Sequence, residues 1–552
     1  MKLQGSTKLM KSLMTRLRST THRNICCCFI VAAIGLAAIA HAVAATITID
    51  GSETNQVIEG FGVNINSWGW TNQELKPVID GLIDGAGMTL FRVVVNNGWE
   101  TTNDNNDPNV INWDYYNALY SSPDFEKVWG LLGYLNQRGF TNGIMLNFQG
   151  PGPDWMGGNT LLDGYEDEWA EMIVSLLMYA RNTRHLQFNL VAPNNEPDLG
   201  SEGIHIPTAA QYVTTLHKLA QMLDTNGLSD VRLVGPDLSD SGTNWLPEIM
   251  ADPVVMAHLA HFGSHSYADN GGGAWNVSEF IEGSLYPDKT FWMTEFNVWC
   301  DVCEYGNQRT NGWEYFLSTA SYLLNYLDYG ASAGLVWEAN DSFYPHHNAW
   351  SFWGLFAVDD TNAISLTYTP QRNFYTLAQI SRFVRPGARM IGTSDEGGDV
   401  NLRSFYHDGL GQLTLVGINT DIESKDVEVS LQALPPIANV DLYYTSANTD
   451  LGYSATVAVT NGNFAVTVPG DCIFTLIGFS QLPPVLRARA IAGGIRILWP
   501  STATNYLLEA SGGVDGTNTW SAVTNAPQQG GQERFVTVPT SGQQWFFRLR
   551  KP

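Results

Sequence analysis

Positive charge is scarce in this chain. Its 552 residues carry 29 Lys and Arg against 54 Asp and Glu, a net charge of −25. A surface that holds a phosphate backbone needs basic residues in quantity, so nucleic acid is not an expected partner. The same balance disfavours a strongly anionic polymer as substrate. Charged residues of both signs make up only 15% of the chain and hydrophobic residues 44%, which excludes a disordered polyelectrolyte and implies packed cores. Cysteine is sparse as well. Cys26, Cys27 and Cys28 fall in the N-terminal segment, leaving Cys300, Cys303 and Cys472 for the rest. "CDVC" lacks the second pair of ligands that a zinc site needs. A local disulfide suits an exported chain, and spacing alone does not establish it.

Acidic residues are missing altogether before the apolar run Ile25 to Ala40, where six basic residues stand. "AHAVAA" then offers small-residue cleavage sites after Ala42 or Ala44. The run is short for spanning a bilayer, which weighs against the alternative of an uncleaved anchor. The expectation is a signal peptide over residues 1–44 and a secreted mature protein without membrane attachment, located outside the cell, in the periplasm or at the cell surface. Losing the six positive charges takes the net charge to −31.

Short apolar runs alternate with helical patterns from about Val57 to Phe383. The strand candidates are "VIEGFGV", "TLFRVVV", "GIMLNF", "QFNLVAP", "VRLVGP", "AHFGSHS", "TFWMTE" and "AGLVWE". Several are near-continuous apolar runs, as in a parallel sheet buried on both faces. Among the helices, "TAAQYVTTLHKLAQML" puts Tyr212, Leu216, Leu219 and Leu223 on one face, with Thr208 and Gln211 as a capping box. Eight such units predict an α/β fold, a (β/α)8 TIM barrel. The alternative, a doubly wound open sheet, lacks a glycine-rich phosphate loop after its first strand.

After Pro386 the pattern turns to period-two strands. "ATVAVTNGNFAVTV" reads as a hairpin turning at Asn461–Gly462, and with "LTLVGIN" and "VDLYYTS" it predicts an associated β-sandwich. "QLPPV" reads as a linker to a small C-terminal all-β domain. The expected domains are thus a barrel over 45–388, a sandwich over 389–480 and a β-domain over 481–552. Residues 45–50 are candidates to pair with the sandwich.

Glu196 in "LVAPNNEPDLG" follows the fourth strand, and Glu295 in "FWMTEFNVWC" ends the seventh. Barrel active sites lie at the C-terminal ends of strands. Two carboxylates over one mouth, about 5–5.5 Å apart, are the apparatus of retaining glycosidases. "NNEP" on strand four with "TEFN" on strand seven resembles the retaining glycoside hydrolases of clan A. The resemblance implies Glu196 as acid/base, Glu295 as nucleophile and Asn195 as the group that bonds a sugar 2-hydroxyl. It further implies that Arg92 lies near the nucleophile and that Tyr267 bonds it. His265 becomes a sugar or carboxylate contact, and Trp337 and Trp155 become platforms for pyranose faces. Within the clan, the layout and the segment "FYTLAQISRFVRPGARMI" are most similar to family 30, while "TEFN" looks closer to family 39.

The reading is an exported retaining β-glycosidase that cleaves polysaccharide, endo-acting because many aromatics (Trp99, Trp245, Trp275, Trp299, Trp350 and Trp353) stand in loops. No metal or organic cofactor is called for. Three alternatives stand beside it: an exo-glycosidase, a barrel that binds carbohydrate without turnover, and a function carried by the terminal β-domain.

Overall fold

The computed structural model describes residues 46–550, apart from 72–74, 201, 241, 269–272, 301–302, 304–311, 342–351, 360–365 and 395–399. In the last seventy residues 481–483, 492–493, 502, 505, 514–518, 531–532 and 540–543 are also outside the description. The expected signal peptide, with Cys26 to Cys28, and Trp350 therefore lie outside the described residues.

β1 (Thr46–Val57) precedes eight strands that close a parallel barrel: β2 (Gly60–Asn66), β3 (Leu90–Asn96), β4 (Ile144–Gln149), β5 (Leu190–Ala192), β6 (Arg232–Leu238), β7 (Leu259–Ser266), β8 (Thr290–Phe296) and β9 (Ala331–Val336). These are the eight apolar runs of the sequence. Closure is made by β2 against β9, with Gly60 opposite Ala333 and Val63 opposite Val336. Inside the barrel Leu90, Met145, Leu190, Ala192, Val234, Trp292, Ala333 and Leu335 form one packed cluster. The outward residues of the same strands join a second, larger cluster with the surrounding helices. Because both faces are covered, the strands need apolar residues at every position, and a polar one stands out.

Helix Ala209–Thr225 shows how sequence sets an element. Tyr212, Leu216, Leu219 and Leu223 are all buried, and Thr208 Oγ1 accepts from the Gln211 amide at 3.2 Å. The reciprocal half of the capping box is not made. Gln211 instead donates from Nε2 to Leu161 O and Glu166 Oε1, at 3.2 and 3.0 Å, tying this helix to the preceding one.

A nine-stranded sheet lies beside the barrel. From edge to edge it runs Thr449–Ala458, Ile437–Ser446, Cys472–Ser480, Gln412–Asn419, Val400–His407, Arg389–Thr393, β1, Lys425–Gln432 and Asn463–Val468. β1 sits antiparallel to Arg389–Thr393 and parallel to Lys425–Gln432. The two edge strands are consecutive in the chain. Flat, nine strands would hold them roughly 38 Å apart at about 4.8 Å per strand, beyond the reach of the short link between them. The sheet must therefore fold over on itself, giving the layers of a sandwich.

That link corrects the expected hairpin. Asn461 and Gly462 both have positive φ, 52° and 78°, and Thr460 and Asn463 exchange backbone hydrogen bonds. The tight turn is present, but the strands beyond it part: Thr449–Ala458 pairs with Ile437–Ser446, and Asn463–Val468 with Lys425–Gln432. The turn joins the two layers rather than making a ladder. Helix Arg372–Ser381 fixes the sheet to the barrel, with Gln379 bonded to Thr445 and Thr475. Beyond residue 486 a four-stranded and a three-stranded sheet close over Ile497, Trp499, Leu508 and Val536.

Candidate active site

Arg92 lies inside the barrel, fully buried, two residues above the apolar layer. A buried guanidinium is tolerable only if its N–H groups are met by acceptors. Nη1 donates to Asn64 Oδ1 at 2.7 Å and to Glu295 Oε2 at 2.9 Å. Nη2 donates to Asn195 Oδ1 at 2.7 Å and to Asp237 Oδ2 at 3.1 Å, and stands 3.3 Å from His265 Nε2. One residue thus gathers groups from β2, β6, β7, β8 and the loop after β5.

Parallel pairing sets His265 on β7 opposite Glu295 on β8. His265 Nδ1 lies 2.9 Å from Glu196 Oε1 and 3.8 Å from Glu295 Oε2. Arg92 can only donate, so a neutral His265 ring accepts at Nε2 and carries its proton on Nδ1, toward Glu196. Tyr267, just past β7, donates to Glu295 Oε1 at 2.5 Å. Both oxygens of Glu295 are therefore acceptors, from a cation and a phenol. A carboxylate oxygen of Glu196, one of Glu295 and a ring nitrogen of His265 lie within 4.8 Å of one another. Such donors also suit a transition metal, although Arg92 already supplies positive charge at that spot.

Glu196 is held in an unusual backbone state. Its φ is +42°, a left-handed conformation that costs a residue other than glycine about 1–3 kcal/mol. Its N–H donates to Asp237 O at 3.0 Å, which fixes the turn. Burial pushes its carboxyl above the ordinary range, and the His265 hydrogen bond and charge offset part of that rise. For His265, burial works against the charged ring, but the carboxylates of Glu295 and Glu196 outweigh it and hold the ring above its usual value.

Asn64 and Asp237 belong to this centre and were not among the expected residues. Asn64 donates to the backbone of β8 and β9 and is fully buried. Asp237 accepts from Thr294 Oγ1 at 2.6 Å as well as from Arg92. Room for its carboxylate comes from Gly263, where a Cβ would stand 2.1 Å from Asp237 Oδ1. A polar residue at an inward position of an apolar strand was the signal for Asn64.

Arg92, Asn195, His265 and Tyr267 are thus brought together around Glu196 and Glu295. The aromatics divide. Trp337 is only 3% exposed, in one apolar cluster with Trp353 and the Cys300–Cys303 disulfide, so little of its ring is open to a sugar. Trp155 is half-buried, its indole N–H on Glu100 O at 2.8 Å, with no bond to the carboxylate centre among the described residues. Trp99 and Trp353 are buried packing residues and not open subsites. Trp245 is half-buried against Tyr212. Trp275 is half-exposed but lines a crevice of about 1240 Å³ with Thr290 and Ser332, at the starts of β8 and β9, away from the carboxylates. Trp299 is 52% exposed and stands edge-on to Tyr267 at 5.9 Å, and Trp68, 42% exposed, follows β2 on the same rim.

No family model matches the chain. It is 21% identical over 460 residues to the glucuronoxylanase XynC of Bacillus subtilis (strain 168), covering 79% of this chain and 92% of that protein. Its fold is shared with a family 30 endoxylanase from Clostridium papyrosolvens C71, with a TM-score of 0.60 and 17% identity over 79% of this chain and all of that one. The endo-β1,6-glucanase BT3312 superimposes with a TM-score of 0.57 and 16% identity over 79% of this chain and 94% of that one. The resemblance to clan A, and to family 30 within it, holds in both sequence and fold.

Proposed function

We propose that this relative of the family 30 enzymes is a retaining, endo-acting β-glycoside hydrolase, with Glu196 as acid/base and Glu295 as nucleophile. Its substrate class is a xylan or β-glucan type of polysaccharide, the chemistry named for its relatives. One observation carries the mechanism: carboxylate oxygens of the two glutamates within 4.8 Å of each other. That spacing suits direct attack on the anomeric carbon, whereas inversion needs about 6.5–9.5 Å to admit a water.

Burial keeps Glu196 protonated further up the pH scale, as a donor to the leaving oxygen must be. Arg92 and Tyr267 hold Glu295 for attack. The Glu196 carboxylate left behind then takes a proton from water as the water oxygen bonds to the anomeric carbon, and the bond to Glu295 breaks to release the sugar. Asn195 has its oxygen on Arg92, so the amide NH2 is the part left to meet a sugar 2-hydroxyl. The domain partition stated for the sequence and export through residues 1–44 belong to the same proposal. No helix among the described residues is long and apolar enough to cross a membrane.

The test is hydrolysis of a glycan panel by wild type, Glu196→Ala and Glu295→Ala, with products sized and the first-formed anomer read by NMR. Retained configuration, internal cuts and loss of activity by at least about three orders of magnitude in both variants is the expected outcome. Inverted product, or full activity in either variant, overturns the assignment.

A further inference from the structure

The last stretch of chain departs from the charge balance of the whole. Residues 485–552 contain seven Lys and Arg and three Asp and Glu, a balance of +4 in a protein whose total is −25. Three of the arginines are spent internally. Arg548 and Arg550 both engage Glu509, and Arg487 engages Glu533. Arg489 and Arg496 are different. Strands Arg487–Ile491 and Gly494–Pro500 pair with these two residues directly opposite each other. Directly opposed residues share one face, and like charges there destabilise a sheet. Ile497, Trp499 and Val536 form the core on the other face, so the arginines stand on the outer one. Neither has a carboxylate within ion-pair distance among the described residues. Arg496 lies over the Phe535 ring at 4.2 Å, which holds its guanidinium in place. Burial, and then the Arg489 charge, depress Arg496 below its usual value, whereas an anion would relieve that repulsion.

We propose that Arg489 and Arg496, with Phe535, form a binding face for carboxylate-bearing glycan chains, separate from the catalytic cleft. Two guanidinium groups side by side match carboxylates along a polymer, because each offers a planar fork of donors. Charge complementarity selects the occupant: the rest of the protein is strongly acidic and repels polyanions, and this face is where one can be held. That the polyanion is a glycan rests on the polysaccharide reading above. A neutral substrate backbone decorated with uronates would then meet two different sites, one for the backbone and one for the acid.

The test is affinity electrophoresis of the full chain through gels containing a glucuronic-acid-substituted xylan, its carboxyl-reduced form, or no glycan. Wild type is compared with R489Q/R496Q and the charge-keeping R489K/R496K. The expected result is retardation by the uronate-bearing polymer, about tenfold weaker in the Gln pair and partly kept in the Lys pair. All three proteins should cleave short neutral oligosaccharides alike, which shows the variants folded. Equal retardation by the carboxyl-reduced polymer overturns the proposal, as does full retardation of R489Q/R496Q. Binding to phosphatidylglycerol vesicles without retardation by the glycan also overturns it. Binding is read without turnover, so a failure here is distinguishable from a failure of the hydrolase reading.

Discussion

Tyr267 donates its hydroxyl to Oε1 of Glu295 at 2.5 Å, the oxygen that Arg92 does not take. One carboxylate is thus gripped from two elements. Arg92 comes from within β3, and Tyr267 from just past β7. With both oxygens engaged, the carboxylate cannot rotate, and its orientation is set by the fold.

Tyr267→Phe frees one oxygen while leaving the ring. A hydrogen bond to a charged group is worth about 1.5–3 kcal/mol. The expected outcome is a kcat about 10- to 100-fold lower with KM little changed, read by steady-state kinetics on the best substrate of the panel.

Gly263→Ala tests the room made for Asp237. The new Cβ would lie 2.1 Å from Asp237 Oδ1, so the carboxylate must move and Arg92 loses an acceptor. Expected is a stability loss of about 3 kcal/mol with reduced activity, read by urea unfolding. Stability and activity like wild type would show that the carboxylate can shift freely.

His265 bears on the pH profile. Its hydrogen bond and charge both lower Glu196, against burial. Removing them lets Glu196 stay protonated to higher pH. The alkaline limb of kcat/KM should therefore move upward in His265→Ala, and less so in His265→Gln, which keeps a donor. A downward shift would contradict the assignment of that limb to Glu196.

A second set of acids is legible in stability rather than activity. Burial, ahead of other influences, raises Glu100 to about 7, and burial with repulsion from Asp104 and Glu100 raises Glu171 to about 9. A carboxyl protonated in the fold but ionised in the unfolded chain makes stability fall as pH rises from about 4.5 toward the folded value. Glu171 is 1% exposed, and its Oε1 has no hydrogen-bond partner among the described residues. Glu171→Gln should raise the unfolding free energy by about 1–3 kcal/mol at pH 8 and leave it nearly unchanged at pH 4.

Trp299 has an open ring beside Tyr267. Trp299→Ala should raise KM about three- to tenfold on oligosaccharides with little change in kcat, the pattern of lost stacking. An unchanged KM would remove it from the cleft.

The buried carboxylate centre was legible where chemistry coincided with a strand end. Glu196, Glu295, His265 and Tyr267 all stand at such positions. Asp237 was hidden because it follows Pro236, and proline ordinarily marks a turn, yet β6 runs on through it to Leu238. The tryptophans were hidden for another reason. Composition does not tell an open ring from a packed one, and Trp99 and Trp353 are covered by neighbours distant in sequence, such as Phe148 and Tyr267. The turn at Asn461–Gly462 was legible because positive φ at both residues is a local demand. Which strands its arms would pair with depended on the whole sheet.

The place of β1 has a consequence for how the protein is made. Its two neighbours in the sheet, Arg389–Thr393 and Lys425–Gln432, are synthesised more than 330 residues after it. A nascent chain leaving the ribosome therefore carries this strand unpaired on both sides until the barrel is complete. Closure of the sheet is a late event, governed by contacts of very long sequence separation. A fragment that stops before residue 389 would hold Glu196 and Glu295 yet present two open strand edges, and its fate would be association with other chains.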